Sequence, residues 1–225
     1  MSRIMRYFLF LSVLFFFSCQ GSEKSAPSGV ELIKRSIDFH DPQGNWKNFK
    51  GTLEIQDSLP PGRSSRRYQV IFDNSQSKME YVKDDLHFLV WHDSVKVLLG
   101  EVENERALML RNYYTYLWGL PMKLQDSGTK ITSQPRKEFL NEQEYWEVEV
   151  PYEKDTWYFY LDPSNYELKA YKFYQDMNTK KGEIIFLNGL LEVDGMKIPK
   201  NRSWYRTEKD EFLGTDYLIG AFLND

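Results

Sequence analysis

Hydrophobic positions change their spacing twice along the 225 residues. After a first apolar run, Val30, Ile33 and Ile37 recur at helical spacing, and Ser28 stands where an N-cap belongs, which predicts a helix over 30–39. His40-Asp41-Pro42-Gln43-Gly44-Asn45-Trp46 breaks it with Pro and Gly. From Trp46 onward the period is two. Leu53 and Ile55 alternate with Glu54 and Gln56. Tyr68, Val70 and Phe72 alternate with Gln69 and Asp73, and Trp146, Val148 and Val150 with Glu147 and Glu149. Trp157, Phe159 and Leu161 share one face of their segment; Ile184, Phe186 and Leu190, then Tyr217, Ile219, Ala221 and Leu223, continue the pattern. Turn signals separate the runs at Pro60-Pro61-Gly62, Asp73-Asn74, Asp84-Asp85, Asp162-Pro163-Ser164-Asn165 and Asp194-Gly195. Ten to eleven strands result, joined mostly by short hairpins, so the sheet is expected to be antiparallel with one wet face. Glu147 and Glu149 fall on that wet face.

The strands are interrupted once. Ala107, Leu110, Tyr114 and Leu117 lie on one face of a helix over 105–118, with Asn104 as its cap. Gly119 is expected to supply a left-handed stop, and Pro121 prevents continuation.

The first eighteen residues read as a targeting segment. Arg3 and Arg6 precede an apolar run from Tyr7 to Phe17, broken only by Ser12 and too short to span a bilayer. Its end, Phe16-Phe17-Ser18-Cys19, resembles the lipobox of bacterial lipoproteins, which implies cleavage before Cys19 and acylation of its thiol. Residues 19–28 then form a lipidated, polar, flexible tether, and 29–225 a single domain. Cys19 is the only cysteine, so the domain has neither a disulfide nor a cysteine metal site and depends on its core. The formal charge is −4 and falls to about −6 without Arg3 and Arg6, which disfavours nucleic acid and an electrostatic grip on anionic lipid. Membrane attachment is left to the anchor.

One N-terminal helix, a long antiparallel meander and a helix inserted midway resemble the lipoprotein-carrier and lipoprotein-receptor (LolA/LolB-like) fold of Gram-negative envelopes. Trp157-Tyr158-Phe159-Tyr160-Leu161-Asp162-Pro163 is similar to that group's strand leading to an Asp-Pro turn. Asp194-Gly195-Met196-Lys197-Ile198-Pro199 is similar to one of its hairpins. The segments DFHDPQGNW and YYTYLWGLPMKLQDSGTKI look closer still to an uncharacterised family of envelope lipoproteins sharing the fold. The resemblance implies a mainly β fold: a curved antiparallel sheet forming an incomplete barrel, its concave side covered by the two helices over an apolar cavity. It brings no catalytic or ligand residue with it.

Catalytic chemistry finds little support. His40, His87 and His92 are the only imidazoles; His87 and His92 lie on opposite faces of a strand-like stretch, so no zinc site forms and no metal or cofactor is expected. Nucleophile-elbow, metalloprotease, P-loop and dinucleotide signatures are absent. Nothing ranks Asp41, Asp162 or Asp176 above solvated carboxylates as a glycosidase acid.

Aromatics remain, at 16% of the chain with six Trp and 15 Tyr. A curved sheet under one helix leaves volume for an apolar ligand. The candidate lining is Tyr113, Tyr114, Tyr116, Leu117, Trp118, Trp146, Trp157 and Phe159, with Trp118 at the mouth and Tyr114 and Leu117 deeper. The leading expectation is a non-enzymatic, lipid-anchored envelope lipoprotein that binds lipid or another apolar molecule. The alternatives are a carbohydrate-binding or carbohydrate-active surface lipoprotein, and a scaffold subunit of an envelope complex. Gln20 after Cys19 tilts the anchor toward the outer membrane; the side it faces and any protein partner stay open.

Overall fold

The computed structural model describes residues 26–131 and 134–224; the expected targeting segment and Cys19 lie outside the described residues. Five strands come first: β1 (Lys50–Ser58), β2 (Arg67–Asp73), β3 (Lys78–Lys83), β4 (Leu86–Trp91) and β5 (Ser94–Leu99). Seven follow a helix: β6 (Arg136–Leu140), β7 (Gln143–Pro151), β8 (Thr156–Leu161), β9 (Leu168–Asp176), β10 (Lys181–Val193), β11 (Met196–Arg206) and β12 (Phe212–Leu223). Every paired neighbour is antiparallel, and the spatial order runs β5-β4-β3-β2-β1-β12-β11-β10-β9-β8-β7-β6. Two meanders are thus joined where β1 pairs with β12, while β5 and β6 remain unpaired edges. The barrel is incomplete, as expected. Its strand count is twelve rather than ten or eleven, because β5 and β6 are short and largely exposed and lack the apolar alternation that marks the others.

Alternation places the core correctly in β1, β2, β7 and β8. Leu53, Ile55, Val70, Phe72, Val148, Val150, Phe159 and Leu161 are all fully or almost fully buried. In β10 and β12 the opposite face is the inner one: Ile185, Leu187 and Leu218 are buried, while Tyr217 and Ile219 face solvent. Both strands are apolar on both faces, so period two alone cannot say which side turns inward.

The wet face was also too simple an expectation. Glu147, expected in solvent, is 3% exposed. It accepts a 2.6 Å hydrogen bond from the Tyr160 hydroxyl and pairs with Arg136 at 2.6 Å. Tyr158, Tyr160 and Ala170 form a small buried cluster of their own, against which Tyr145, Tyr174 and Phe186 pack. The convex side of this half is therefore partly apolar, and Lys172 Nζ sits within 5.1–5.4 Å of the Tyr158, Tyr160 and Tyr174 ring centroids.

Helix α1 (Gly29–His40) starts as the sequence says, with Ser28 Oγ accepting from the Glu31 N–H at 3.2 Å. Its buried face is Leu32, Ile33, Ser36 and His40; Val30 faces solvent. His40 works as a structural bridge. Its Nδ1 lies 2.6 Å from the Lys197 carbonyl and its Nε2 accepts from the Leu168 N–H at 3.0 Å, which fixes a neutral ring donating at Nδ1.

Helix α2 (Asn104–Trp118) sends Ala107, Tyr114 and Trp118 into the core of the β1–β4 half and Leu117 into that of the β7–β10 half. Its expected cap and stop are both different. Glu103 is the N-cap, and Gly119 has φ −86°, which is not left-handed. The terminal carbonyl of Leu117 instead accepts from Arg202 of β11 at 3.4 Å, a cation at the negative end of the helix. Gly119 is required for space: a Cβ there would come within 2.7 Å of the Thr115 carbonyl and the Trp46 ring.

Candidate functional site

A cleft of about 960 Å³ opens beside α2, on the side turned away from Tyr114 and Trp118. Helical geometry makes the division: Arg111, Asn112, Thr115 and Tyr116 share one surface of the helix, set against the core face. Three short 3-10 helices frame the rest. Asn45–Asn48 contributes Trp46 and Lys47, the Asn74–Gln76 turn contributes Asn74, and Met122–Gln125 contributes Met122, Lys123 and Gln125. The inner ends of β3 and β8 supply Met79 and Trp157, and Tyr152 closes the far wall.

The Asn45–Asn48 turn is held by Asp41, whose carboxylate accepts from the Asn45 and Trp46 N–H groups at 2.8 and 2.9 Å. The Asn74 side chain donates to the Trp46 carbonyl at 2.8 Å. These contacts fix the Trp46 ring against Phe49 and Phe72, with centroids 5.6 Å away in each case. On the opposite wall, the Tyr116 and Tyr152 hydroxyls meet at 2.8 Å, and both rings stand edge-on to Trp157. Burial raises the Tyr116 hydroxyl far above its usual range, so it stays neutral.

Of the residues singled out from sequence, the structure brings only Tyr116 and Trp157 to this cleft. Tyr114, Leu117, Trp118 and Phe159 are packed core, and Trp118 is just 2% exposed rather than at a mouth. Trp146 flanks the β7–β10 core, with Lys137 Nζ 4.2 Å from its ring centroid. Tyr113 lies on the other flank of α2, stacked on Trp204 at 6.1 Å. The residue is 42% exposed, but its hydroxyl end lies toward Asp216, and burial there, followed by the Asp216 charge, raises the hydroxyl. Asp216 is itself raised by burial while accepting from Trp204 Nε1 at 3.0 Å.

Sequence reasoning missed Trp46, Met79 and Met122 as cleft walls, and the cations Lys47, Lys78, Arg111 and Lys123. The signal for Trp46 was present in the Pro/Gly break that precedes it. The cations carry no local signature, because four separate elements deliver them. Among the described residues, no group of three or more His, Cys, Asp or Glu converges as a metal site. His87 pairs with Glu80 at 3.0 Å, and His92 occupies a turn with φ 50°.

Residues 92–221 match the family described as "Family of unknown function (DUF6503)". Among solved structures, the chain is similar to a LolA superfamily protein from Nitrosomonas europaea, at 13% identity, covering 89% of this chain and 95% of that one, with a TM-score of 0.52. It is also similar to a putative outer membrane lipoprotein-sorting protein domain from Vibrio parahaemolyticus (10% identity, 86% and 91% covered, TM-score 0.49). A DUF1329 family protein from Desulfovibrio piger aligns at 9% identity over 88% of this chain and 94% of that one, with a TM-score of 0.48. None of the curated proteins matches. At such identities the likeness to the Nitrosomonas protein shows the fold alone, a LolA-like half-barrel.

Proposed function

The chain belongs to DUF6503, a family of unknown function, and from that premise we propose that it is a non-enzymatic, lipid-anchored envelope lipoprotein whose cleft beside α2 binds an acyl chain or a similar apolar group. The carrying observation is the cleft itself: about 960 Å³, walled by Trp46, Met79, Met122, Tyr116 and Trp157, and formed where a helix lies across an unclosed sheet. That volume lies at the upper end of the roughly 300–1,000 Å³ typical of small-molecule sites. Burying about ten methylenes there would gain about 8 kcal/mol in transfer, much of it offset by lost freedom, which leaves micromolar affinity. Trp46, Met79 and Met122 form the almost wholly covered floor, and the accessible aromatic wall is Tyr116, Tyr152 and Trp157.

The carbohydrate reading needs aromatic faces laid open to solvent. Trp46, Trp118 and Trp204 are buried, Trp146 and Trp157 are half-buried, and only Trp91 is largely exposed, at 52%. The aromatics here make walls and core rather than a platform. Cys19 would supply the anchor, and Gln20 after it favours the outer membrane.

The test uses the mature chain, made without the targeting segment and with Cys19→Ser so that no anchor lipid competes. Native mass spectrometry should find co-purified lipid, and added long-chain lipid should change the fluorescence of Trp46 and Trp157. Asn112→Trp, at an exposed position on the cleft wall, should block the response while leaving thermal unfolding unchanged. Flat titrations and lipid-free spectra would defeat the reading.

A further inference from the structure

The walls of the cleft are not neutral, although the proposal above needs only that they be apolar. The whole chain is formally −4, yet the charged residues lining the cleft are Lys47, Lys78, Arg111 and Lys123 against the single carboxylate of Asp126. Three of these cations are sequence neighbours of an apolar wall residue: Lys47 follows Trp46, Lys78 precedes Met79 and Lys123 follows Met122. In each pair Trp46, Met79 or Met122 is buried while its basic neighbour keeps contact with water. The cleft is therefore amphipathic, with a greasy floor and a basic rim.

Two of the four cations have close acidic partners. Lys78 pairs with Glu80 at 2.9 Å, and Lys123 pairs with Asp126. Lys47 makes no ion pair among the described residues. Arg111 stands out. Its side chain is only 18% exposed, its Nε donates to Asn112 Oδ1 at 2.8 Å, and its nearest carboxylate is 3.7 Å away on Asp93, which is 98% exposed. A pair that long with a fully solvated partner contributes little. With its nearest carboxylate that distant, the planar fork of Arg111 stays available to a carboxylate on a ligand.

Resting on the apolar-ligand reading, we infer that the ligand is a long-chain anionic amphiphile of the fatty-acid class, its carboxylate held by Arg111 and Lys47 and its chain lying over the floor of Trp46, Met79 and Met122 and against Tyr116 and Trp157. A long-chain carboxylate is the simplest molecule that satisfies both the floor and the rim.

Oleate and oleyl alcohol, which share a chain and differ in the head, separate the two ideas when titrated at monomeric concentrations into the Cys19→Ser mature chain and read by tryptophan fluorescence. Oleate should bind at least about tenfold more tightly, the scale of one charge-assisted hydrogen bond. In Lys47→Gln/Arg111→Gln the ratio of oleate to alcohol affinity should fall to about one, with unfolding temperature confirming an intact fold. Equal binding of both probes would overturn the anionic ligand and leave the apolar cleft standing. Preference for oleate that survives the double substitution would overturn the assignment to these two residues. Binding of neither probe would bring down the cleft reading together with this one.

Discussion

The guanidinium carbon of Arg202 lies 3.5 Å from the ring centroid of Trp118, joining the inner face of β11 to the end of α2. The contact is wholly inside the protein. Arg202 Nη1 donates to the Pro199 carbonyl at 2.6 Å and Nη2 to the Leu117 carbonyl at 3.4 Å, and burial lowers its pKa to about 10. It remains charged at neutral pH because the indole face, two carbonyls and the helix terminus all favour the cation.

Trp118→Ala should therefore cost about 3–5 kcal/mol, as for other large buried aromatics, and should unfold the domain at lower urea. Arg202→Lys should also destabilise, since an ammonium cannot keep both carbonyl contacts and the planar stack. The two sites share one contact, so the double variant should lose less than the two single losses together, by at least about 0.5 kcal/mol. Additive losses would show that the stacked pair contributes nothing.

His40 gives the fold a defined acid sensitivity. Burial is the main cause lowering its pKa to about 4, and the Lys197 carbonyl only partly opposes it. In the unfolded chain the ring takes a proton near pH 6.5. Below that pH the unfolded state binds a proton that the folded state refuses, so stability is full above about 6.5 and falls by up to about 3 kcal/mol toward pH 4. Urea midpoints measured from pH 7 to 4.5 should fall steeply for the native chain. His40→Asn should start lower, having lost the bridge, and show a flatter slope. An equal slope would place the acid sensitivity elsewhere.

Tyr160→Phe removes the hydroxyl that donates to buried Glu147 and leaves the carboxylate, among the described residues, its pair with Arg136. A cost of about 1.5–3 kcal/mol follows for a hydrogen bond to a charged group. Tyr160→Phe combined with Glu147→Leu should recover much of it by removing both halves of the polar contact. Chemical denaturation of the three proteins decides the matter. A neutral Tyr160→Phe would mean that water already satisfies Glu147.

Cys19 falls outside the described residues, and its acylation is tested in cells. Cys19→Ser in the full chain should abolish acyl-chain labelling and leave a soluble or uncleaved precursor. A cleaved, unlabelled protein that still fractionates with membrane would sink the lipoprotein assignment.

Much of the architecture was legible in the chain. The alternation of Leu53 with Glu54 and of Val148 with Glu149 marks strands, and the shift to Ala107, Tyr114 and Leu117 marks the inserted helix, because burial on one side imposes those periods. The failures share a physical origin. Ile184 through Leu187 is apolar on both faces, so its inward side depends on register with β9 and β11. Glu147 looks solvated in sequence, because only tertiary structure brings Tyr160 and Arg136 to it. The cleft was the least legible feature. Its cations come from positions 47, 78, 111 and 123, each unremarkable locally, and a negative total charge conceals their convergence. Trp118 belonged to the most conspicuous aromatic run and proved to be packed interior, since aromatic density alone does not distinguish a wall from a core.

The joining of the sheet sets an order of events for the folding chain. Thr52 Oγ1 donates to Asn224 Oδ1 at 3.0 Å across 172 positions, and β1 and β12 pair along almost their whole length. Every other strand pairing links consecutive strands, so each meander can assemble hairpin by hairpin from local encounters. The β1–β12 junction has no such shortcut and carries the largest loop-closure entropy in the sheet. Until β12 arrives, two half-sheets present raw edges at β1 and β11, the kind of surface that invites pairing with a neighbouring chain. Emergence of β12 is then the event that separates assembly from aggregation, and substitutions in that strand should act first on the yield of folded protein.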